Sequence, residues 1–166
     1  ALDDHDRTIF VERLRAASER HGWTLHAWCL LDTHAHVLVR TEEANLGRGI
    51  GELLGAYALV FNRRHGREGH LFARPFWSRP IDGIEQHARA LQNIALNPVG
   101  AGLCEIPFDY PWLELTDEGL VGSGTAVETA RTQFAEAVDA LAARIRENRR
   151  REWKAVVGEG FKTAGR

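Results

Sequence analysis

The chain has 166 residues, a net charge of −2, and 44% hydrophobic against 27% charged residues, which is ordinary for a globular domain with a buried core. No apolar run is long enough for a membrane-spanning helix, and no signal-peptide pattern opens the chain. Cys29 and Cys104 are the only cysteines, and they form neither a disulfide framework nor a CxxC motif. We therefore expect a reducing, cytoplasmic setting and no membrane partner.

The first half of the chain predicts a helix, a hairpin and a second helix. Apolar residues recur at helical spacing over Asp6–Arg20. Trp23–Leu31 and His34–Arg40 are predicted strands, and the Asp-Thr pair between them has turn chemistry, so we expect the two to form a hairpin. Helical spacing returns over Leu46–Arg64.

The second half predicts a loop and two more helices. Two prolines interrupt His70–Ile81, which is predicted as a loop with one short edge strand. Ile84–Leu96 is a predicted helix that is expected to stop before an Asn-Pro pair, because the residue before proline avoids the helical region. Pro107–Leu115 is predicted as an aromatic loop and Val127–Trp153 as a long amphipathic helix.

This order of elements predicts an α+β domain, with helices gathered on one face of a small antiparallel sheet. The linker is expected at Asp117–Thr125. It divides the chain into a domain over 1–116 and a second part over 117–166, which holds the linker and the C-terminal amphipathic helix.

His34 and His36 are the first candidates for a functional site. Residues two apart in a strand point to one face, so the two imidazoles are expected to converge while Ala35, Val37 and Val39 face the core. Two neutral imidazoles at this spacing can bind one divalent cation from one side. Spacing alone leaves open the alternative of two polar residues on a solvated sheet face.

Asn93 and Asn97 are the second candidates. Residues four apart lie on one face of a helix, and Asn97 can offer its side-chain oxygen to the same cation if this helix packs beside the hairpin. The alternative is more common: an asparagine before proline at a helix end is often a cap or a turn residue.

A basic, aromatic stretch is the third candidate. Residues 61–80 contain five arginines against one acid, Glu68. Arginines contact phosphates, and Phe72, Phe76 and Trp77 can stack on unpaired bases, whereas the alternative is a solvated helix end with core aromatics. The residues expected to contact DNA are Arg63, Arg64, Arg67, His70, Arg74 and Arg79.

Four segments of the sequence carry a resemblance to a known family. His26–Val39 surrounds the His-Ala-His pair, Phe61–Phe72 joins a helix end to a basic loop, Ile94–Leu103 contains the Asn-Pro pair, and Asp109–Trp112 is an aromatic loop. In this order they resemble the HUH single-tyrosine transposases, particularly the REP-associated tyrosine transposases of bacteria. The similarity runs from about residue 6 to residue 112.

The resemblance implies a ferredoxin-like (RRM-like) sheet, a divalent cation (Mg²⁺ or Mn²⁺) on His34 and His36, and single-stranded or hairpin DNA as the ligand. We expect a monomer or a homodimer. In the family, a helix tyrosine attacks a DNA phosphate and forms a transient 5′-phosphotyrosine link, and a polar residue one turn later helps to hold the metal. These two positions fall on Asn93 and Asn97.

Asn93 departs from the family pattern where the chemistry depends on it. A carboxamide has no ionisable hydroxyl, so we expect a DNA-binding protein that keeps the metal site but is impaired in tyrosine-mediated cleavage. Two alternatives stay open: an active metal-dependent endonuclease that uses Tyr57 or a metal-activated water, and a non-catalytic interaction module. The family's first strand has no counterpart before Asp6, so we expect it to be missing, with an exposed sheet edge.

Overall fold

The structure is a computed structural model that describes residues 2–73, 76–116 and 125–160, without the side chains of 125–131 and 151–160. Residues 117–124, most of the expected linker, lie outside the described residues. The elements in chain order are α1 (Asp4–His21), β1 (Trp23–Leu30), β2 (Ala35–Thr41), α2 (Leu46–Arg64), α3 (Gly83–Gly100), a 3₁₀ turn (Pro107–Asp109), β3 (Leu113–Leu115) and α4 (Thr125–Gly160).

The predicted α+β class, the antiparallel sheet and the C-terminal helix are confirmed. The described residues form a three-stranded sheet in the order β2-β1-β3, in a ferredoxin-like arrangement of helices and strands. Within the described ranges, none of the helices combines the length and the apolar character needed to cross a bilayer.

Local chemistry sets both ends of α1. The Asp3 side chain accepts from the Asp6 backbone N–H (2.9 Å), and the Asp6 side chain accepts from the Asp3 backbone N–H (3.1 Å). This reciprocal capping satisfies N–H groups that the first turn leaves without helical partners. Gly22 ends the helix at φ 66°, a left-handed conformation that glycine adopts without steric cost, and β1 follows directly.

The sheet is packed on both faces, which corrects the prediction that the helices gather on one face. Trp28 and Leu30 of β1 pack with α1 and α2, whereas Ala27 and Cys29 pack under α3. The prediction failed because β1 lacks a polar face. A strand that is apolar at successive positions is typical of burial on both sides.

The register of the hairpin sets the position of the two histidines. β1 and β2 pair antiparallel with Cys29 opposite His36, and the register shifts between Leu25 and Ala27. His26 is the extra residue of this bulge. β3 pairs with the other side of β1, so β2 forms an edge of the sheet within the described part of the chain.

The third strand was predicted in the wrong place. The described residues of His70–Ile81 contain no strand, whereas Leu113–Leu115, predicted as loop, forms β3. Side chains from distant parts of the chain hold this short strand: Trp28 Nε1 donates to Glu114 (2.9 Å) and the Thr116 hydroxyl donates to the Leu25 carbonyl (2.6 Å). Local patterning does not predict such contacts.

The helix α3 continues to Gly100 and does not stop before the Asn-Pro pair. Pro98 has no N–H for a helical hydrogen bond, but Pro98 and Val99 are fully buried. Arg149 of α4 donates to the Val99 carbonyl (3.1 Å). Packing against α4 therefore stabilises a last turn that local propensity disfavours.

Candidate metal and nucleic-acid site

His34 and His36 lie side by side on the face of the sheet that α3 covers. Their ring centroids are 4.8 Å apart at an interplanar angle of 79°. The alternate residues Val37 and Val39 pack against the α1 and α2 cluster on the opposite face. The predicted convergence of the two imidazoles is confirmed, but Ala35 is exposed and does not join the core.

The ring nitrogens of this pair are suited to bind a metal ion. His34 Nδ1 lies 2.9 Å from the Thr33 hydroxyl, a contact that orients the ring. His36 Nε2 is buried and has no hydrogen-bond partner among the described residues, which is uncommon for a buried polar atom. Burial, and then the neighbouring His34, lowers the pKa of His36. The neutral ring, the form that binds metals, is therefore favoured.

Asn97 is expected near the level of His34 along the sheet. The rings of His26 in β1 and His87 in α3 are 5.2 Å apart, which places the second turn of α3 beside the middle of β1. At about 1.5 Å per helical residue, Asn97 lies roughly 15 Å beyond His87. At about 3.3 Å per strand residue, the level of His34 lies roughly 16 Å beyond His26.

These levels coincide because α3 runs in the same direction as β1. Cys104, just beyond α3, belongs to the cluster that contains Cys29, near the end of β1. On one flank of α3, Arg149 of α4 donates to the Val99 carbonyl, and Phe134 of α4 packs against the cluster under α3. At 3.6 residues per turn, Asn97 lies on the side of α3 away from Val99.

Asn97 can supply one oxygen ligand. Its side chain is half-buried, whereas Asn93 is exposed. Asn97 Nδ2 donates to the Asn93 carbonyl at 2.7 Å, which leaves Oδ1 as the atom available to a cation. The described residues contain no group of three or more His, Cys, Asp or Glu side chains that could hold a metal ion. The candidate third ligand there is the Asn97 side-chain oxygen.

Among the residues that were predicted to contact DNA, Arg64 is bound to two carboxylates, whereas the others that the structure describes are exposed. Arg64 donates to Asp3 (2.7 Å) and to Asp6 (2.5 Å), so its charge is already paired. Arg63, Arg67, His70 and Arg79 are exposed, whereas Arg74 lies outside the described residues. His70 lines an open, mostly apolar groove of about 590 Å³ beside α2.

The basic stretch begins at the end of the sheet that carries His34. Arg7 of α1 pairs with Asp32 in the turn before His34. Arg64 pairs with Asp3 and Asp6 one turn earlier in α1. The end of α2 therefore lies at the His34 end of the sheet, although α2 packs on the opposite face.

The two tyrosines of the chain are held in structural roles. Tyr57 belongs to the cluster on the face opposite His36, and burial raises its pKa to about 12. Tyr110 donates its hydroxyl to the Leu30 carbonyl at 2.9 Å, and burial raises its pKa as well. The structure therefore contradicts the alternative in which Tyr57 replaces the missing nucleophile.

The contact between His26 and His87 was not predicted. Burial lowers the pKa of His87, so this second pair of imidazoles meets in a partly buried setting between β1 and α3. The contact depends on a bulge in β1 and on the docking of α3. Neither has a local sequence signal.

Comparisons with models of protein families, with curated proteins and with solved structures found no match for this chain.

Proposed function

We propose that this chain is a DNA-binding protein of the HUH transposase type that holds a divalent cation on His34 and His36 and has lost tyrosine-mediated cleavage. The observation that carries the proposal is the histidine pair. Its rings lie 4.8 Å apart, and one of them has a buried nitrogen without a hydrogen-bond partner in the described structure. The ligand is single-stranded or hairpin DNA.

The donor set fits Mn²⁺ better than Mg²⁺. Mg²⁺ takes oxygen ligands in strict octahedral geometry, whereas imidazole nitrogens suit first-row transition ions. His34 and His36 would hold the cation, with Asn97 Oδ1 as an oxygen ligand on the neighbouring helix. When bound, the cation polarises a phosphate oxygen of the DNA.

Exposed arginines at the end of α2 and in the α2–α3 connection supply the phosphate contacts. Arg63, Arg67 and Arg79 make no ion pair among the described residues, whereas Arg64 already binds two carboxylates. A phosphate would have to displace those carboxylates to reach Arg64. DNA affinity is therefore expected to depend on the three exposed arginines and not on Arg64.

A Mn²⁺ titration followed by electron paramagnetic resonance tests the metal site. We expect one Mn²⁺ per chain, with affinity reduced at least tenfold, or about 1.4 kcal/mol, in His34→Ala and in His36→Ala. His5→Ala is the matched control, because His5 is exposed on α1, which packs on the face of the sheet opposite the pair. Equal affinity in all three variants would contradict the site.

Restoring the nucleophile tests the assignment to the family. Asn93 is exposed, so Asn93→Tyr places a phenol on α3 without disturbing the core. With Mn²⁺ and hairpin DNA, we expect this variant to form a covalent adduct: the tyrosine oxygen bonds to phosphorus, the P–O3′ bond breaks, and the 3′ oxygen takes a proton. Asn93→Phe and Asn93→Tyr with His36→Ala should give no adduct.

The behaviour of the unaltered chain separates the alternatives. We expect it to bind hairpin DNA without cleaving it. Nicking without an adduct would instead indicate an enzyme that uses a metal-activated water. A chain that retains neither Mn²⁺ nor single-stranded DNA at low salt would be an interaction module, and the proposal would be wrong.

A further inference from the structure

Trp77 is the most exposed of the large hydrophobic side chains of the described residues, at 80% of its surface. Tryptophan is highly buried on average, so this exposure needs a physical reason. Phe76 and Phe72 nearby are also exposed, at 40% and 38%. The α2–α3 connection therefore presents aromatic surface to solvent.

Both ends of the connection that carries Trp77 are anchored by contacts with the rest of the fold. Asn62 Nδ2 donates to the Gly69 carbonyl at 2.8 Å, and Leu71 packs against the α1 and α2 cluster. At the other end, Ile81 packs in the cluster under α3. Trp77 lies between these two anchored ends of the connection, and its side chain is exposed to solvent.

Pro80 restricts the backbone close to Trp77. A proline biases the residue before it, here Arg79, toward an extended conformation. A restricted segment loses less conformational entropy when it binds a ligand.

The charge around Trp77 indicates which ligand it contacts. Residues 61–80 contain five arginines and one acid, and Arg79, two residues beyond Trp77, is exposed and makes no ion pair among the described residues. Exposed aromatic rings among arginines suit single-stranded nucleic acid, because every base has a face on which an aromatic ring stacks. A strand of unpaired DNA supplies both the phosphates and the bases.

We infer that Trp77 stacks on an unpaired base of the single-stranded DNA that this protein binds. The inference rests on the proposed function. The base lies on the indole ring while the exposed arginines contact the flanking phosphates. Duplex DNA, whose bases are already stacked, does not use this contact.

The test measures binding of a fluorescent oligothymidylate and of a duplex of equal length by anisotropy. We expect Trp77→Ala to weaken oligothymidylate binding roughly 5- to 150-fold, Trp77→Phe to retain most of it, and duplex binding to stay unchanged. Leu59→Ala is the matched control, because Leu59 is 73% exposed on α2. The single strand should also quench the tryptophan fluorescence of the unaltered chain more than that of Trp77→Phe.

The salt dependence separates stacking from charge. Trp77→Ala should leave the slope of log affinity against log salt unchanged, whereas Arg79→Ala should reduce it by about one unit. If the unaltered chain binds the single strand and Trp77→Ala binds it equally well, the inference fails while the proposed function stands. If the unaltered chain does not bind the single strand, both fail. A change in self-association with unaltered DNA affinity would also overturn the inference.

Discussion

Asp6 is 1% exposed, yet its neighbours stabilise its negative charge. It accepts from Arg64 (2.5 Å) and from His65 Nε2 (3.0 Å). Burial alone would raise the pKa of Asp6, but the hydrogen bonds from His65, the Asp3 backbone and Arg64 outweigh it, and the pKa is lowered below its ordinary value of 3.8. This network joins the first turn of α1 to the end of α2.

Replacing Asp6 tests this network. Asp6→Asn is expected to lower the free energy of unfolding at pH 7 by about 2 kcal/mol, the usual value for hydrogen bonds to a charged group. Because the pKa is lower in the folded chain, the stabilisation is complete above pH 3.8 and is lost as the pH falls through the folded pKa. Urea unfolding of the unaltered protein and of Asp6→Asn should give a smaller difference in the free energy of unfolding at pH 3 than at pH 7.

Asp4→Asn serves as the control, since the Asp4 side chain is 84% exposed in its pair with Arg7. Its effect is expected to stay below about 0.5 kcal/mol. If Asp6→Asn lowers the free energy of unfolding equally at pH 7 and at pH 3, the charge of the Asp6 carboxylate does not stabilise the fold.

For single residues, the sequence predicted which side chains share a face, but it did not predict which distant partners they bind. His34 and His36 were predicted to share a face, because strand periodicity is a local property. Arg64 was grouped with the DNA-contacting arginines, because its partners Asp3 and Asp6 lie about sixty residues away. Only the packing of α1 on α2 brings these charges together.

The helix α3 covers one face of the sheet, and Cys29 of β1 is buried beneath it. Cys29 is 0% exposed, and burial raises the pKa of its thiol to about 12. Leu91 of α3 is 3% exposed and packs in the same cluster. The reactivity of Cys29 therefore measures how firmly α3 is docked.

Removing the Leu91 side chain is expected to loosen this cover. Leu91→Ala should cost about 2–5 kcal/mol in the free energy of unfolding and speed alkylation of Cys29 at least tenfold. In the unaltered protein, the partly exposed Cys104 should react first. Mass spectrometry of timed alkylation samples gives both rates, and Leu59→Ala should change neither. An unchanged Cys29 rate in Leu91→Ala would show that α3 does not protect this face.

The elements themselves were largely predictable from periodicity, and the exceptions share one cause. The bounds of α2 matched the prediction, because apolar spacing is continuous over its length. β3 and the last turn of α3 were missed. Their stability comes from Trp28, Arg149 and other residues distant in sequence.

The whole molecule behaves as one packed unit within its described residues. Val138 and Ala142 of α4 are 0% exposed, and Phe134 packs in the cluster under α3. Arg146 donates to the Glu105 carbonyl. The predicted division between 1–116 and 117–166 therefore runs through a shared core.

Unfolding measurements test this cooperativity. We expect two signals to change at one denaturant concentration: the far-ultraviolet circular dichroism, which reports helix content, and the fluorescence of the buried Trp23 and Trp28, measured in the Trp77→Phe background. Val138→Ala should shift both transitions together. Two separated transitions would show that α4 forms an independent unit.

The α+β class, the hairpin and the shared face of His34 and His36 followed from the sequence, because periodicity and turn chemistry act over a few residues. The placing of Asn93 at the tyrosine position of the HUH transposases also rests on sequence motifs and stays a prediction. Contacts of the tertiary structure were needed to show that both faces of the sheet are covered and that α3 lies on the face that carries His36. The same kind of contact binds Arg64 to Asp3 and Asp6. These outcomes depend on contacts between distant segments, which follow from how the whole chain buries its apolar surface.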